Sequence, residues 1–230
     1  FNPVSVVKGP KHKVDRGKTP VIDAQEVDRL LTSIKTTTLI GLRDRAMIAV
    51  MAYTFARISA VTSLKMEHVF HQKQHLWLRL TEKGGKVKDV PCHHVLREYL
   101  AEWISEANLA ADPAAPLFQS FAWEPKSDDD ACTICPEEET KPRKRILTGN
   151  PMTQALAWEM IQRRARRAGI QARVCNHSFR AAGITAYLKN GGTIERAAHI
   201  AGHASTRTTQ LYDRRPDDVT LDEIERIRFA

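Results

Sequence analysis

Apolar residues recur first at helical spacing. Val27, Leu30, Leu31 and Ile34 repeat every three to four positions behind Asp23, and Glu26 stands where a capping box needs an acid. That pattern predicts a helix opening at Asp23. "LRDRAMIAVMAYTF" is apolar at most positions and predicts a buried helix over 41–55. The period then changes to two. "HLWLRL" alternates, "EKGGK" turns and "VKDVP" returns, the signature of a short β-hairpin. A helix near 93–107 follows. Asn150 and Pro151 read as the cap and first turn of a helix to Ala168, ended by Gly169. Helices over 177–190, 193–201 and 205–212 come next, joined by short Gly- or Asn-bearing turns. In the tail, "TLDEIERIRF" sets Leu221, Ile224 and Ile227 on one stripe. The sum is a mixed α/β, mostly helical chain with a small antiparallel β-hairpin or sheet at one edge and no internal repeat.

Three stretches escape these periods. Residues 1–22 are basic, carry Pro and Gly, and read as a linker arriving from an N-terminal part, so the chain reads as a piece of a longer polypeptide. Its "GKT" lacks the upstream glycine of a phosphate loop, His12 standing there. Residues 119–147 hold "SDDDACTICPEEETKPRKR" and read as a long surface insertion. Cys132 and Cys135, joined by Cys92, His93 or His94, are one conceivable zinc set. A lone CxxC in an acidic stretch is more often unliganded, and no metal is expected.

Charge narrows the partner. The 230 residues carry 35 Lys and Arg against 27 Asp and Glu, a formal net charge of +8. Such a surplus points to a polyanion, most often nucleic acid. No apolar run approaches the ~18 residues of a membrane span, and no signal-peptide pattern opens the chain, so an intracellular location is expected. Four cysteines in a chain this long do not suggest a disulfide framework. The "RRARR" run, Arg163–Arg167, reads as a solvated face that also touches backbone phosphates.

The candidate chemistry lies in four short stretches. "NHSFR" puts His177 and Arg180 on one helical face, a titratable group beside a fork of donors shaped for phosphate. "GHASTRTTQLYDR" holds His203 in a Gly-His turn and Tyr212 further on. "FARISAV" leaves Arg57 at the end of a buried helix, where a charge needs an anionic partner. "EKGGKVK" projects Lys83 beside two glycines, while Lys86 and Lys88 on the returning strand read as phosphate contacts or solvent charges. Two guanidinium forks can neutralise a phosphoryl group, a tyrosine oxygen can attack phosphorus, and His and Lys can move protons to and from bridging oxygens.

The order "ARIS", "KGGK", "HSFR", "GHAS", "LY" resembles the catalytic domain of the tyrosine recombinase (phage integrase) family, from about residue 20 to the C-terminus. The resemblance implies a site-specific recombinase of a mobile element that cleaves and rejoins DNA through a 3′-phosphotyrosine. It implies that Arg57 and Arg180 bind the scissile phosphate and that Lys83 is the general acid for the 5′ oxygen. His177 would assist proton transfer, His203 would hydrogen-bond the phosphate, and Tyr212 would be the nucleophile. No metal or nucleotide cofactor is implied. Double-stranded DNA with inverted half-sites, a homo-tetramer on that DNA, no membrane, and a cytoplasmic, nucleoid-associated location in bacteria are.

By the same resemblance, residues 1–22 link to an N-terminal DNA-binding domain, 23–214 form the catalytic domain, and 215–230 form a helix exchanged between subunits. Two positions depart from the family pattern. Ala60 stands where an acidic residue is common, and Ala181 where a histidine often follows the second arginine. Another residue is expected to supply the acidic support. His199 reads as a packed or surface histidine. A catalytically silent DNA-binding regulator of the same fold and a type IB topoisomerase are the alternatives; the intact Arg57, Lys83, Arg180 and Tyr212 oppose the first, and the C-terminal stripe opposes the second.

Overall fold

A computed structural model of the chain describes residues 20, 22–124, 144–215 and 224. Helix α1 (Ala24–Ser33) opens with the expected capping box: Asp23 accepts from the Glu26 amide and Glu26 from the Asp23 amide. Helix α2 (Leu39–Thr54) is the centre of the molecule, buried along nearly its whole length. A helix apolar all round suits an interior element, packed on every side by others. α3 (Ile58–Thr62) follows at once.

Strands β1 (Val69–Gln72), β2 (His75–Thr81) and β3 (Val87–Pro91) form an antiparallel sheet in that order. The expected hairpin is β2–β3, with Leu80 opposite Lys88 and Thr81 opposite Val87. β2 buries Leu76, Leu78 and Leu80 and turns the alternate residues outward, the half-buried pattern of an edge sheet. Helix α4 (His94–Glu106) packs its Leu96, Leu100 and Trp103 into the core, and the Trp103 indole donates to the Leu117 carbonyl at 2.8 Å.

Two expectations from the sequence change here. β4 (Gln119–Trp123) and β5 (Arg145–Pro151) pair antiparallel, so both ends of the supposed 119–147 insertion are integral to the fold. Gln119 is buried and its carbonyl accepts from Arg43 at 2.9 Å. Asn150 and Pro151 lie in β5 rather than capping a helix; Thr153 caps α5 (Gln154–Arg167), accepting from the Leu156 amide. The strand carries the chain past Pro151, and the first side chain able to satisfy a free amide is the threonine. The Cys132–Cys135 pair lies outside the described residues. So does the C-terminal stripe, except that Ile224 is helical and exposed.

Helices α6 (Asn176–Lys189), α7 (Ile194–Ala201) and α8 (Thr206–Gln210) complete the fold. The apolar interior divides in two. The larger cluster joins α1, α2, α4, α5 and the three-stranded sheet. A smaller one gathers Phe55, Ile184, Leu188, Ala197 and Ala201, with Tyr212 packed against it. The polar cluster described next lies at the seam between them. Among the described residues no helix is long and apolar enough to cross a membrane.

Candidate active site

The site begins where α2 stops. Phe55 takes a left-handed conformation at φ 54°, which turns the chain out of the helix and makes Arg57 the N-cap residue of α3. α6 crosses this end at backbone contact. A Cβ on Gly183 would come within 2.3 Å of the Ala52 carbonyl oxygen and 2.7 Å of the Phe55 ring, so only glycine allows the approach. One turn earlier on α6 stands Arg180, 1 % exposed. Its guanidinium donates to the Phe55 carbonyl, just past α2, and to the Ala201 carbonyl, the last residue of α7. A cation at two helix C-termini satisfies carbonyls that have no intrahelical partner.

Lys88 repeats the arrangement beside it. The ammonium donates to Ile200 O of α7 and, at 3.5 Å, to Thr54 O of α2, and it pairs with Glu82 Oε1 at 3.2 Å. Glu82 Oε2 accepts from Arg57 Nη1 at 2.6 Å. Burial pushes the Glu82 carboxyl up, yet Lys88 and the Arg57 hydrogen bond outweigh it and hold the group below the usual carboxylate range. Burial pushes Lys88 the other way, down to about 8, against the pull of Glu82. Ala60 and Ala181 are both buried. The carboxylate beside Arg57 therefore comes from the hairpin, not from α3.

The ring groups sit above. His203 Nε2 is 2.7 Å from Arg180 Nη2, and its Nδ1 is 2.8 Å from Thr209 Oγ1. An arginine can only donate, so Nε2 accepts and Nδ1 carries the proton toward Thr209. Burial, then Arg180 and Arg57, push His203 down to about 4. The Tyr212 ring stacks on His203 at 5.5 Å between centroids and lies 5.7 Å from the Arg180 guanidinium carbon. The phenolic oxygen is 3.4 Å from His177 Nδ1. Burial lowers His177 as well, followed by the same two arginines, so both imidazoles are neutral near pH 7 and His177 is able to accept a proton. Thr185 of α6 anchors the backbone here, its hydroxyl donating to Tyr212 O at 3.1 Å.

Five of the six residues singled out in the sequence thus converge: Arg57, His177, Arg180, His203 and Tyr212. Lys83 stands apart. It is exposed on the β2–β3 turn, next to Gly84 and Gly85 at φ 82° and 75°, and among the described residues nothing holds its ammonium. His199 is exposed on α7. Lys88, Glu82 and Thr209 are the members that sequence reasoning missed. The signal for the first two was present. Glu82 continues the inward alternation Leu76, Leu78, Leu80, and Lys88 is two positions from buried Val90 on the same face of β3. Among the described residues no cluster of three His, Cys, Asp or Glu side chains is placed to hold a metal ion. The Cys92 thiol is pushed up to about 12 by burial, which opposes the thiolate that zinc needs.

Residues 20–218 match the phage integrase family. The tyrosine recombinase XerD of Listeria monocytogenes serotype 4b (strain F2365) is 26% identical over 214 residues, spanning 92% of this chain and 62% of that protein. XerD of Oceanobacillus iheyensis is 27% identical over 203 residues, spanning 87% of this chain and 59% of that protein. The chain thus spans about three fifths of the length of these curated relatives. Among solved structures, XerA recombinase superposes with a TM-score of 0.65 at 21% identity, covering 95% of this chain and 65% of that one. A lambda integrase tetramer bound to a Holliday junction gives 0.61 at 13% identity, covering 96% and 56%. At such identities the structural likeness establishes the fold. The family match, over most of the sequence, establishes the lineage: this chain belongs to the phage integrase family.

Proposed function

We propose that this phage integrase family chain is the catalytic part of a site-specific DNA recombinase, with Tyr212 as its nucleophile. One observation carries the reading: the Tyr212 hydroxyl is 3.4 Å from a histidine held neutral, while its ring lies over a buried, fixed guanidinium. A phenol, a proton acceptor and preset positive charge are what transfer of a phosphodiester to tyrosine requires.

In this reading Tyr212 Oη attacks the scissile phosphorus and its proton passes to His177. Arg57 and Arg180 stabilise the charge on the non-bridging oxygens. The bond from phosphorus to the 5′ oxygen breaks, and Lys83 supplies the proton that the leaving alkoxide takes up. The products are a 3′-phosphotyrosine and a 5′ hydroxyl, and attack by a 5′ hydroxyl on that ester reverses every step. His203, which accepts from Arg180 in the free chain, either keeps that arginine in place or turns to the phosphate itself. The reading extends to assembly and place. Four copies act on double-stranded DNA bearing inverted half-sites, residues 1–22 connect to a further DNA-binding domain, and residues 215–230 dock on a neighbouring subunit. It also takes the chain to serve a mobile element and to act in the cytoplasm, at the bacterial nucleoid. The relatives' name as tyrosine recombinases and the net charge of +8 support it.

The test is covalent capture. With a nicked duplex carrying its target site, the chain should form an SDS-stable DNA adduct, and Tyr212→Phe should form none while binding the duplex within about twofold of the parent. An adduct from Tyr212→Phe removes that residue from the role.

A further inference from the structure

The "RRARR" run is solvated only in part: Arg166 and Arg167 are exposed and the Arg163 side chain is 41 % exposed, but Arg164 turns inward. Arg164 is 8 % exposed, and its Nε and Nη2 both reach Asp44 Oδ2, at 2.9 and 2.7 Å. Arg43 takes the other oxygen with Nε at 3.0 Å and Nη2 at 2.6 Å. Arg163 adds a third contact at 3.4 Å. Asp44 is fully buried, so one carboxylate faces three guanidinium groups. Arg43 and Arg164 are buried against that single carboxylate, which leaves one unbalanced positive charge inside. The half-exposed Arg163 adds a second at the rim, so an anion is favoured there.

The space in front of them is a groove of about 770 Å³, and Lys35, Arg145 and Arg167 line it with Arg43, Arg163 and Arg164. Among the described residues Glu159 is the one carboxylate along its wall. Thr38, the N-cap residue of α2, and Ile40 in its first turn also line the groove. The guanidinium groups are not free to drift: Arg43 is tied to Gln119 O and lies 4.8 Å from the Phe121 ring centroid, and Arg145 lies 4.4 Å from that of Trp123. Forks held this way match phosphate oxygens better than a lone lysine does. α2 separates this groove from Tyr212. Its 16 residues span roughly 24 Å, with the groove at the first turn and Arg180 at the last.

We propose that this groove is a second phosphate-binding site, distinct from the Tyr212 cluster, which takes a phosphodiester or polyphosphate between Arg43, Arg163, Arg164 and Arg167. It goes beyond the function proposed above and uses none of its residues.

The test uses the full chain and a double variant at the rim, Arg163→Ala with Arg167→Ala, which leaves the Arg43–Asp44–Arg164 set in place. Arg29→Ala with Arg97→Ala, two exposed arginines outside the groove, controls for net charge. Two quantities are read: the rise in Tm on adding pyrophosphate, and the salt dependence of binding to a 30-base-pair duplex. The rim variant should lose more than half of the pyrophosphate-induced rise, and the control should keep it. If the duplex supplies the phosphate, the slope of log K against log salt should also fall by ~1 to 2 in the rim variant alone, about 0.9 per phosphate released. A lost pyrophosphate response with an unchanged slope identifies a free anion as the occupant. Unchanged values of both, or equal losses in the control, overturn the proposal and leave the arginines as partners of Asp44 only. Neither readout involves Tyr212, so failure of adduct formation has no bearing on it.

Discussion

Glu82 and Arg57 meet across two elements, the carboxylate from the end of β2 and the guanidinium from the start of α3, with Oε2 to Nη1 at 2.6 Å. Lys88 completes the triangle on the other oxygen at 3.2 Å. Removing the carboxylate leaves two cations facing each other in a largely buried place, so Glu82→Ala should cost about 3 kcal/mol of stability. Glu82→Gln keeps the shape and one acceptor but loses the charge. It should fold, with adduct formation slowed at least tenfold, since a charge-assisted hydrogen bond is worth about 1.5–3 kcal/mol. Melting curves and single-turnover cleavage check the pair. Wild-type cleavage by Glu82→Gln would mean that Arg57 needs no carboxylate to hold it.

Lys83 and Lys88 should separate on a substrate with sulfur in place of the bridging 5′ oxygen. A thiolate leaves without a proton, so a missing general acid no longer matters. Lys83→Ala should be slowed by about 10²–10⁴ on ordinary DNA and largely recover on the sulfur substrate. Lys88 donates to Glu82, Thr54 O and Ile200 O, and Lys88→Ala should fail on both. Recovery of Lys88→Ala instead would assign the proton to the buried lysine.

Acid should loosen the site through its imidazoles. His203 titrates at about 4 in the folded chain against an ordinary 6.5, and His177 is lowered too. Between those values the unfolded chain binds the proton and the folded one resists it, so stability falls as pH drops from about 6.5 toward 4. The decline in Tm from pH 7 to pH 5 should be smaller by a few degrees in His203→Gln, which does not titrate, at about 2–4 °C per kcal/mol for a chain of this size. Parallel curves for the two proteins would rule out His203 as the source.

Gly183→Ala tests the packing beneath the site. The added methyl meets a backbone oxygen of α2 at 2.3 Å and the Phe55 ring at 2.7 Å, and neither is the free end of a flexible side chain. Overpacking of this kind costs about 1–3 kcal/mol, and α6 must also back away from the Phe55 carbonyl that Arg180 holds. Chemical denaturation should show the loss, and cleavage should fall by more than the unfolded fraction explains.

What the sequence disclosed followed from periodicity and order. The α1 capping box, the buried α2 and the β2–β3 hairpin were readable because Asp23, the apolar run and the leucines of β2 each obey a local rule. Arg57, His177, Arg180, His203 and Tyr212 were readable from their order, although only folding brings residues so far apart in the chain together. Lys88 was misjudged because a lysine on a hairpin is ordinarily solvated, and its burial depends on α7 arriving over the sheet. Thr153 displaced Asn150 as a cap because β5 runs one residue past that asparagine, a pairing set by β4 and invisible locally. Arg163 and Arg164 were judged a surface run for the same reason: their partner, Asp44, lies on another helix.

Arg180 and Lys88 each bridge the same two helix ends, binding Phe55 O and Thr54 O on α2 and Ala201 O and Ile200 O on α7. The chain enters α8 and reaches Tyr212 directly after α7. Any slide of α7 along α2 therefore strains both bridges at once, while Thr185 holds the Tyr212 carbonyl to α6. Tyr212 is thus tied to the seat of both cations twice, along the chain through α8 and across to α6 through Thr185.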